Sequence, residues 1–234
     1  MDPTLWNWPG NAEVYAPSQV AADAASPLRG KHILFLGSSV TEGHAAMGNS
    51  FVDYLAAKDG VIAVKEAVSG TTLVTLDEKS YIPRMMTMDR TLRPDAFICQ
   101  LSTNDATRGL PFGEVSGPGA ARETLDVHTI AGAMEFIVSY ARETWQCPVM
   151  FYTGTRFESA AYQRMVELLH EIREQWQIGV IDLWNDAPLN DISEERRALY
   201  IKPDGIHPTR AGYLEWWLPA FEREIAEGLG REQG

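Results

Sequence analysis

Four short segments, widely separated in this 234-residue chain, carry residue types that work together in nucleophilic acyl transfer. They are Gly37-Ser38-Ser39-Val40-Thr41, Gly70 within Val68-Ser69-Gly70-Thr71, Ser102-Thr103-Asn104-Asp105, and Asp204-Gly205-Ile206-His207. Acyl transfer needs a nucleophile, a base to take its proton, a partner to orient that base, and donors for the oxyanion. Ser39, His207 and Asp204 can fill the first three roles. The backbone amides of Ser39 and Gly70 and the side-chain amide of Asn104 can fill the fourth.

Each segment has a plainer reading when taken alone. A serine two residues beyond a glycine is often a helix cap. Asn104-Asp105 fits an ordinary Asx turn. Asp204-Gly205-Ile206-His207-Pro208 could be a surface turn with an unrelated ion pair or a pair of metal ligands. A carboxylate three residues before an imidazole, on a turn loosened by glycine, can instead hold one ring nitrogen while the other accepts a serine proton. His32, His128 and His170 fall in strand- or helix-like runs, and no second ligand cluster accompanies His207. His44, close to Ser39 in sequence, is kept as a residue lining the same site.

Rival motifs around Ser39 fail on inspection. The nucleophile elbow G-x-S-x-G needs glycine where Thr41 stands, and a P-loop needs lysine where His44 follows Gly43. The G-x-G-x-x-G dinucleotide fingerprint is not supplied by Gly37-Ser38-Ser39.

The elements that must position these residues are legible as hydrophobic pattern. His32–Leu36 is a short apolar run ending at a glycine, as in a parallel strand buried on both faces. Similar runs recur at Val61–Val64, Ala96–Leu101, Val149–Tyr152 and Ile178–Ile181. Between them, Leu125–Trp145 places Ile130, Met134, Ile137 and Tyr140 on one helical face. Tyr162, Met165, Val166, Leu169, Ile172 and Trp176 make a second stripe, and a last helix runs from about Thr209 to Leu229. Strand alternating with helix over about five cycles predicts a parallel sheet with helices on both faces. In such a sheet ligands bind at the carboxyl ends of the strands, where three of the four segments fall.

Residues 1–30 read as a separate N-terminal arm, with Trp6 and Trp8 expected to pack onto a single domain over 31–234. Residues 106–124, with Pro111, Gly113, Gly117, Pro118 and Gly119, form the longest stretch without periodicity. A loop of that length is either a surface insertion or a lid or substrate-selecting loop beside Asn104.

A net charge of −12 argues against nucleic acid or an anionic membrane surface as partner. Cys99 and Cys147 give neither a disulfide framework nor zinc spacing, and Cys99 sits inside an apolar run. No apolar stretch reaches the roughly 18 residues of a membrane span, and Met1–Val20 lacks a signal-peptide pattern, so a cytoplasmic protein is the expectation. The aromatic arm and Trp-rich last helix could cover the core or serve a homo-oligomer.

Taken in order, serine, glycine, asparagine and histidine, with aspartate three before the histidine, resemble the four blocks of the SGNH/GDSL hydrolase superfamily. The resemblance spans most of the chain from Lys31 onward. It implies a flavodoxin-like three-layer α/β/α sandwich with a five-stranded parallel sheet and no metal or organic cofactor. It implies Ser39 as nucleophile, His207 as general base and acid, Asp204 as its partner, and Ser39, Gly70 and Asn104 as the oxyanion hole. Substrate contacts are expected from Ser38, Asp105, Thr153 and Arg156, with Arg156 suited to a polar or anionic group. The family's Gly-Asp-Ser reads Gly37-Ser38-Ser39 here, and its Gly-x-Asn-Asp reads Ser102-Thr103-Asn104-Asp105, a change that bears on substrate size. The implied activity is hydrolysis of a small carboxylic ester, short-chain or acetyl, including O-acetylated carbohydrate. An acyltransferase, a lysophospholipase or thioesterase, and a non-catalytic binding module of this fold are the alternatives.

Overall fold

The computed structural model describes residues 3–231. Strands β1 (His32–Gly37), β2 (Ile62–Ala67), β3 (Ala96–Gln100), β4 (Val149–Tyr152) and β5 (Gly179–Ile181) form one parallel sheet in the order β2-β1-β3-β4-β5. All five expected strands are present, and the order is that of a flavodoxin-like sheet. Chain direction reverses its lateral progress between β1 and β3, so the crevice for a ligand lies above the carboxyl ends of these two strands.

Helices cover both faces. They are α1 (Ser39–Glu42), α2 (Phe51–Tyr54), α3 (Tyr81–Thr87), α4 (Thr103–Thr107), α5 (Ile130–Trp145), α6 (Ala160–Trp176), α7 (Ala187–Asn190), α8 (Glu194–Tyr200) and α9 (Leu218–Arg231). Alternation along each strand divides the core. Leu34, Leu36, Phe97, Cys99 and Phe151 pack with α3, α5 and α6. Ile33, Phe35, Ile98, Met150 and Tyr152 face α2 and α9, where Phe51 stacks on Phe221 with centroids 3.8 Å apart. Cys99 and Cys147 are both free and buried.

Two helix boundaries differ from the pattern. Helix α5 begins at Ile130, five residues later than Leu125, because Thr129 caps it by accepting from Gly132 N. The last helix is wound as a π-turn over Gly212–Trp217 before α9 continues. The π-turn brings Tyr213, Trp216 and Trp217 all into the core.

The arm is a chain of 3₁₀ turns in which the buried Asn11 is one anchor, beside buried Leu5, Ala16 and Leu28. Asn11 Nδ2 donates to Leu5 O (3.0 Å) and Ala45 O (2.8 Å), while its Oδ1 accepts from Arg210 N (3.0 Å). The side chain of Trp6 lies outside the described residues. Residues 108–129 are fixed by the fully buried Glu135 of α5, which accepts from Ser116 N, Gly117 N and Trp176 Nε1. This stretch is therefore built into the α5 and α6 side of the sandwich. Its first residue, Arg108, reaches the Gly70 turn through Nη2 to Gly70 O (2.9 Å). Among the described residues no helix is long and apolar enough to cross a membrane.

Candidate active site

Ser39 follows β1 by two residues and opens α1. The turn is tight: a Cβ on Gly37 would lie 1.8 Å from Thr41 Oγ1, so no larger residue fits there. Gln100, the last residue of β3, locks the turn from beneath. Its Oε1 accepts from Ser38 N (2.9 Å), Thr41 N (3.2 Å) and Thr41 Oγ1 (2.8 Å). Thr41 Oγ1 also meets Tyr152 OH at 2.6 Å. With residues 37–41 all buried, the nucleophile turn is part of the core.

His207 arrives from a loop between α8 and the last helix. Its Nε2 lies 2.7 Å from Ser39 Oγ, and its Nδ1 lies 3.0 Å from Asp204 Oδ2. A carboxylate at Nδ1 selects the tautomer protonated there, leaving the Nε2 lone pair for the Ser39 hydroxyl. Asp204 Oδ1 accepts from Ile206 N (2.8 Å) and His207 N (3.0 Å), so one side chain shapes the loop and orients the ring. Partial burial opposes ionisation of Asp204, but hydrogen bonds from the His207 ring and these two amides outweigh it. They hold the carboxyl down at about 2. Lys202 Nζ stands 4.0 Å from the same carboxylate.

The donors stand on the neighbouring strand ends. Asn104, in α4, donates one Nδ2 hydrogen to Thr71 O (2.9 Å), which leaves its second hydrogen for a ligand. Gly70 N makes no hydrogen bond among the described residues. Its glycine is required by a φ of +79°, since a Cβ there would touch nothing within 4 Å.

Ser102 does not crowd the crevice. Its hydroxyl donates to Thr71 O (3.2 Å) and accepts from Asn104 N (3.2 Å), which caps α4 and ties the Gly70 turn to β3. His44 is exposed, with its ring centroid 5.8 Å from that of His207, so it lines the site as its place in sequence suggested.

Three of the four residues expected to touch substrate are turned inward. Ser38 is fully buried, and its main chain, not its hydroxyl, is what Gln100 engages. Asp105 is fully buried and accepts from Leu73 N (2.9 Å) and Val74 N (3.0 Å). Burial pushes its carboxyl up to about 6 against the pull of those amides. Thr153 is fully buried and accepts from Trp184 N at 2.9 Å. Asp105, in α4, and Thr153, just after β4, turn inward to meet backbone amides of neighbouring loops that need partners. Arg156 is the exception. It is exposed, donates through Nε to Trp184 O (2.8 Å), and borders a cavity of about 800 Å³ with Trp8, Phe157, Arg197, Lys202 and Asp204.

Sequence reasoning missed Gln100 and Glu42. Gln100 carried a signal, a polar residue ending an otherwise apolar buried strand. Glu42 carried none, since its partner Ser69 is 27 residues away. Among the described residues, no group of three or more His, Cys, Asp or Glu could hold a metal ion.

Comparison with known proteins agrees with this architecture. The structure resembles a GDSL-like lipase of Bacteroides ovatus (TM-score 0.62, 19% identity, 84% of this chain and 98% of that one). It also resembles a family two carbohydrate esterase from Clostridium thermocellum in complex with cellohexaose (TM-score 0.59, 14% identity, 90% and 67%). A third similar structure is an acetyl xylan esterase (TM-score 0.55, 13% identity, 86% and 98%). No curated protein matches the chain in sequence. The model of the GDSL-like lipase/acylhydrolase family matches residues 35–214, more than half of the chain, and the protein belongs to that family.

Proposed function

We propose that the protein is a serine esterase that cleaves short-chain or acetyl esters of a polar alcohol, such as an O-acetylated carbohydrate, through an acyl-enzyme. The observation that carries this reading is the continuous relay Ser39 Oγ to His207 Nε2 (2.7 Å) and His207 Nδ1 to Asp204 Oδ2 (3.0 Å). Ser39 Oγ attacks the ester carbonyl carbon while its proton passes to His207 Nε2. The oxyanion is met by the amides of Ser39 and Gly70 and by the free Nδ2 hydrogen of Asn104. The carbon–oxygen bond to the alcohol then breaks, and His207 gives its proton to the departing oxygen. Water repeats the sequence on the acyl-enzyme, releasing the acid and restoring Ser39. Asp204, ionised throughout the neutral range, stabilises the imidazolium formed in both halves.

One feature supports the substrate class. The 800 Å³ cavity bordered by Trp8, Arg156, Glu158, Glu194, Arg197 and Lys202 adjoins Asp204 on the His207 loop. Donors and acceptors beside an aromatic ring suit an alcohol with several oxygens. The carbohydrate-esterase and acetyl-xylan-esterase neighbours are consistent with this class.

The test is labelling with a fluorophosphonate followed by mass mapping, alongside turnover of p-nitrophenyl acetate and acetylated xylo-oligosaccharide. The expected label is on Ser39. A label on Ser38, or none, overturns the assignment. Transfer of the acyl group to added alcohols in preference to water would make the protein an acyltransferase.

A further inference from the structure

Gly70 stands on a turn that packing does not hold, since it is exposed and its Cβ position is open. Its placement therefore falls to hydrogen bonds on the turn. From the β3 side, Arg108 Nη2 donates to Gly70 O (2.9 Å) and Asn104 Nδ2 to Thr71 O (2.9 Å). From the β1 side, Val68 N donates to Gly37 O (3.3 Å), Arg84 Nη2 bridges Gly37 O (2.8 Å) and Thr71 Oγ1 (3.1 Å), and His44 Nδ1 meets Ser69 Oγ at 3.4 Å; the tether from α1 itself is Glu42. Glu42 Oε2 accepts from Ser69 N (2.9 Å) and, in a short contact, from Ser69 Oγ. Glu42 lies three residues after Ser39 in α1, so this tether starts from the nucleophile's own turn of helix.

We propose that Glu42 is a positioning residue that fixes the Gly70 amide relative to Ser39 by clamping Ser69. The inference rests on the esterase reading for what Gly70 does. The oxyanion forms on the carbon that Ser39 Oγ has just bonded, so its donors must be registered to Ser39. Bonds from Asn104 and Arg108 register the turn to α4 and the segment just after it; the bond from Glu42 registers it to α1. A carboxylate gives the charge-assisted form of that bond, and gripping both the N–H and the O–H of one residue sets orientation as well as distance. The reach matters as much as the charge. Aspartate, one methylene shorter, would keep the charge and lose Ser69, whereas glutamine would keep the reach and an acceptor oxygen.

The experiment compares Glu42→Ala, Glu42→Asp and Glu42→Gln with the parent protein on p-nitrophenyl acetate. It adds inhibition by an alkyl boronic acid, whose tetrahedral adduct on Ser39 sets an oxygen in the same hole. Removing an oxyanion donor outright costs about 10²–10³ in kcat, so misplacing one is expected to cost about 10–100-fold in the Ala and Asp variants. KM should move little, and the boronate Ki should rise by the same factor as kcat falls. Glutamine should recover most of the loss. An Ala variant with unchanged kcat and Ki overturns the proposal, as does a kcat loss without a Ki shift. Backbone ¹⁵N relaxation supplies a readout independent of turnover: order parameters at Ser69–Thr71 should fall in Glu42→Ala. Unchanged order parameters also overturn the clamp. If the parent protein neither labels with fluorophosphonate nor cleaves esters, the esterase reading fails by itself, and the relaxation measurement still decides the clamp.

Discussion

The two halves of the Ser39–His207 pair are built on opposite principles. Ser39 sits on a turn whose residues 37–41 are all buried and whose amides are bonded to Gln100, at the centre of the sheet. His207 sits on a loop whose residues 203–207 are exposed or half-buried. That loop is held largely by itself, through Ile206 N and His207 N to Asp204 and Gly205 N to Lys202 O (2.9 Å). An isolated bridge between Ile201 and Pro208 closes its base. Ser39 is thus placed by the core and His207 by a self-contained turn. The difference teaches where stability and activity are coupled. On the Ser39 side they cannot be separated; on the His207 side they can.

The sharpest way to break this contrast is His207→Ala. Activity on p-nitrophenyl acetate should fall by about four to six orders of magnitude, with a thermal midpoint close to that of the parent protein. A large fall in that midpoint would show the loop to be structural after all. Asp204→Asn should come next, at about 10³–10⁴ in kcat, because the ring loses its tautomer and its counter-charge while Oδ1 can still accept from the loop amides. Steady-state kinetics and a melting curve on the same preparation check both.

Gln100→Leu tests the other side. It strands the buried Ser38 N and Thr41 N and leaves Thr41 Oγ1 with Tyr152 OH alone, and should cost about 3 kcal/mol in urea unfolding together with about a 10–100-fold loss of kcat. Activity lost without stability would refute the core-built account of Ser39.

The smallest effect is the most discriminating. Asp204 and Asp105 are displaced in opposite directions, down to about 2 and up to about 6. For Asp204 the folded value lies below the unfolded one near 3.9, so its stabilisation is present above about pH 4 and is lost as pH falls toward 2. For Asp105 the folded value lies above the unfolded one, so its contribution is fully present below about pH 4 and is lost as pH rises through 6. Urea unfolding across pH should therefore show Asp204→Asn flattening the acid limb and Asp105→Asn flattening the decline between pH 4 and 6. Reversed or identical effects would show that the two carboxylates share one environment.

Much of the fold and of the candidate site was legible in residue type and spacing. Runs such as His32–Leu36 and Val149–Tyr152 mark strands because parallel strands buried on both faces must be apolar throughout. Asp204 and His207 were readable as a pair because a three-residue loop fixes their separation locally. Ser38, Asp105 and Thr153 were misread as substrate contacts for a related reason. Proximity in sequence to a site residue says nothing about which way a neighbouring side chain turns, and all three turn inward. Gln100 and Glu42 show the remaining limit, since their partners are tens of residues away in the chain.

The sequence by itself determined the parallel α/β architecture, because periodicity is a property of the chain, and its motifs offer Ser39, Asn104, Asp204 and His207 as one candidate chemical set. Only the tertiary structure decided that Ser39 Oγ and His207 Nε2, 168 residues apart, stand 2.7 Å from each other. It alone decided that Ser69, beside Gly70, is bonded to Glu42 of the helix that Ser39 opens. Contacts of that range are set by how the sheet orders its strands and how loops cross its carboxyl edge, and no local pattern encodes them.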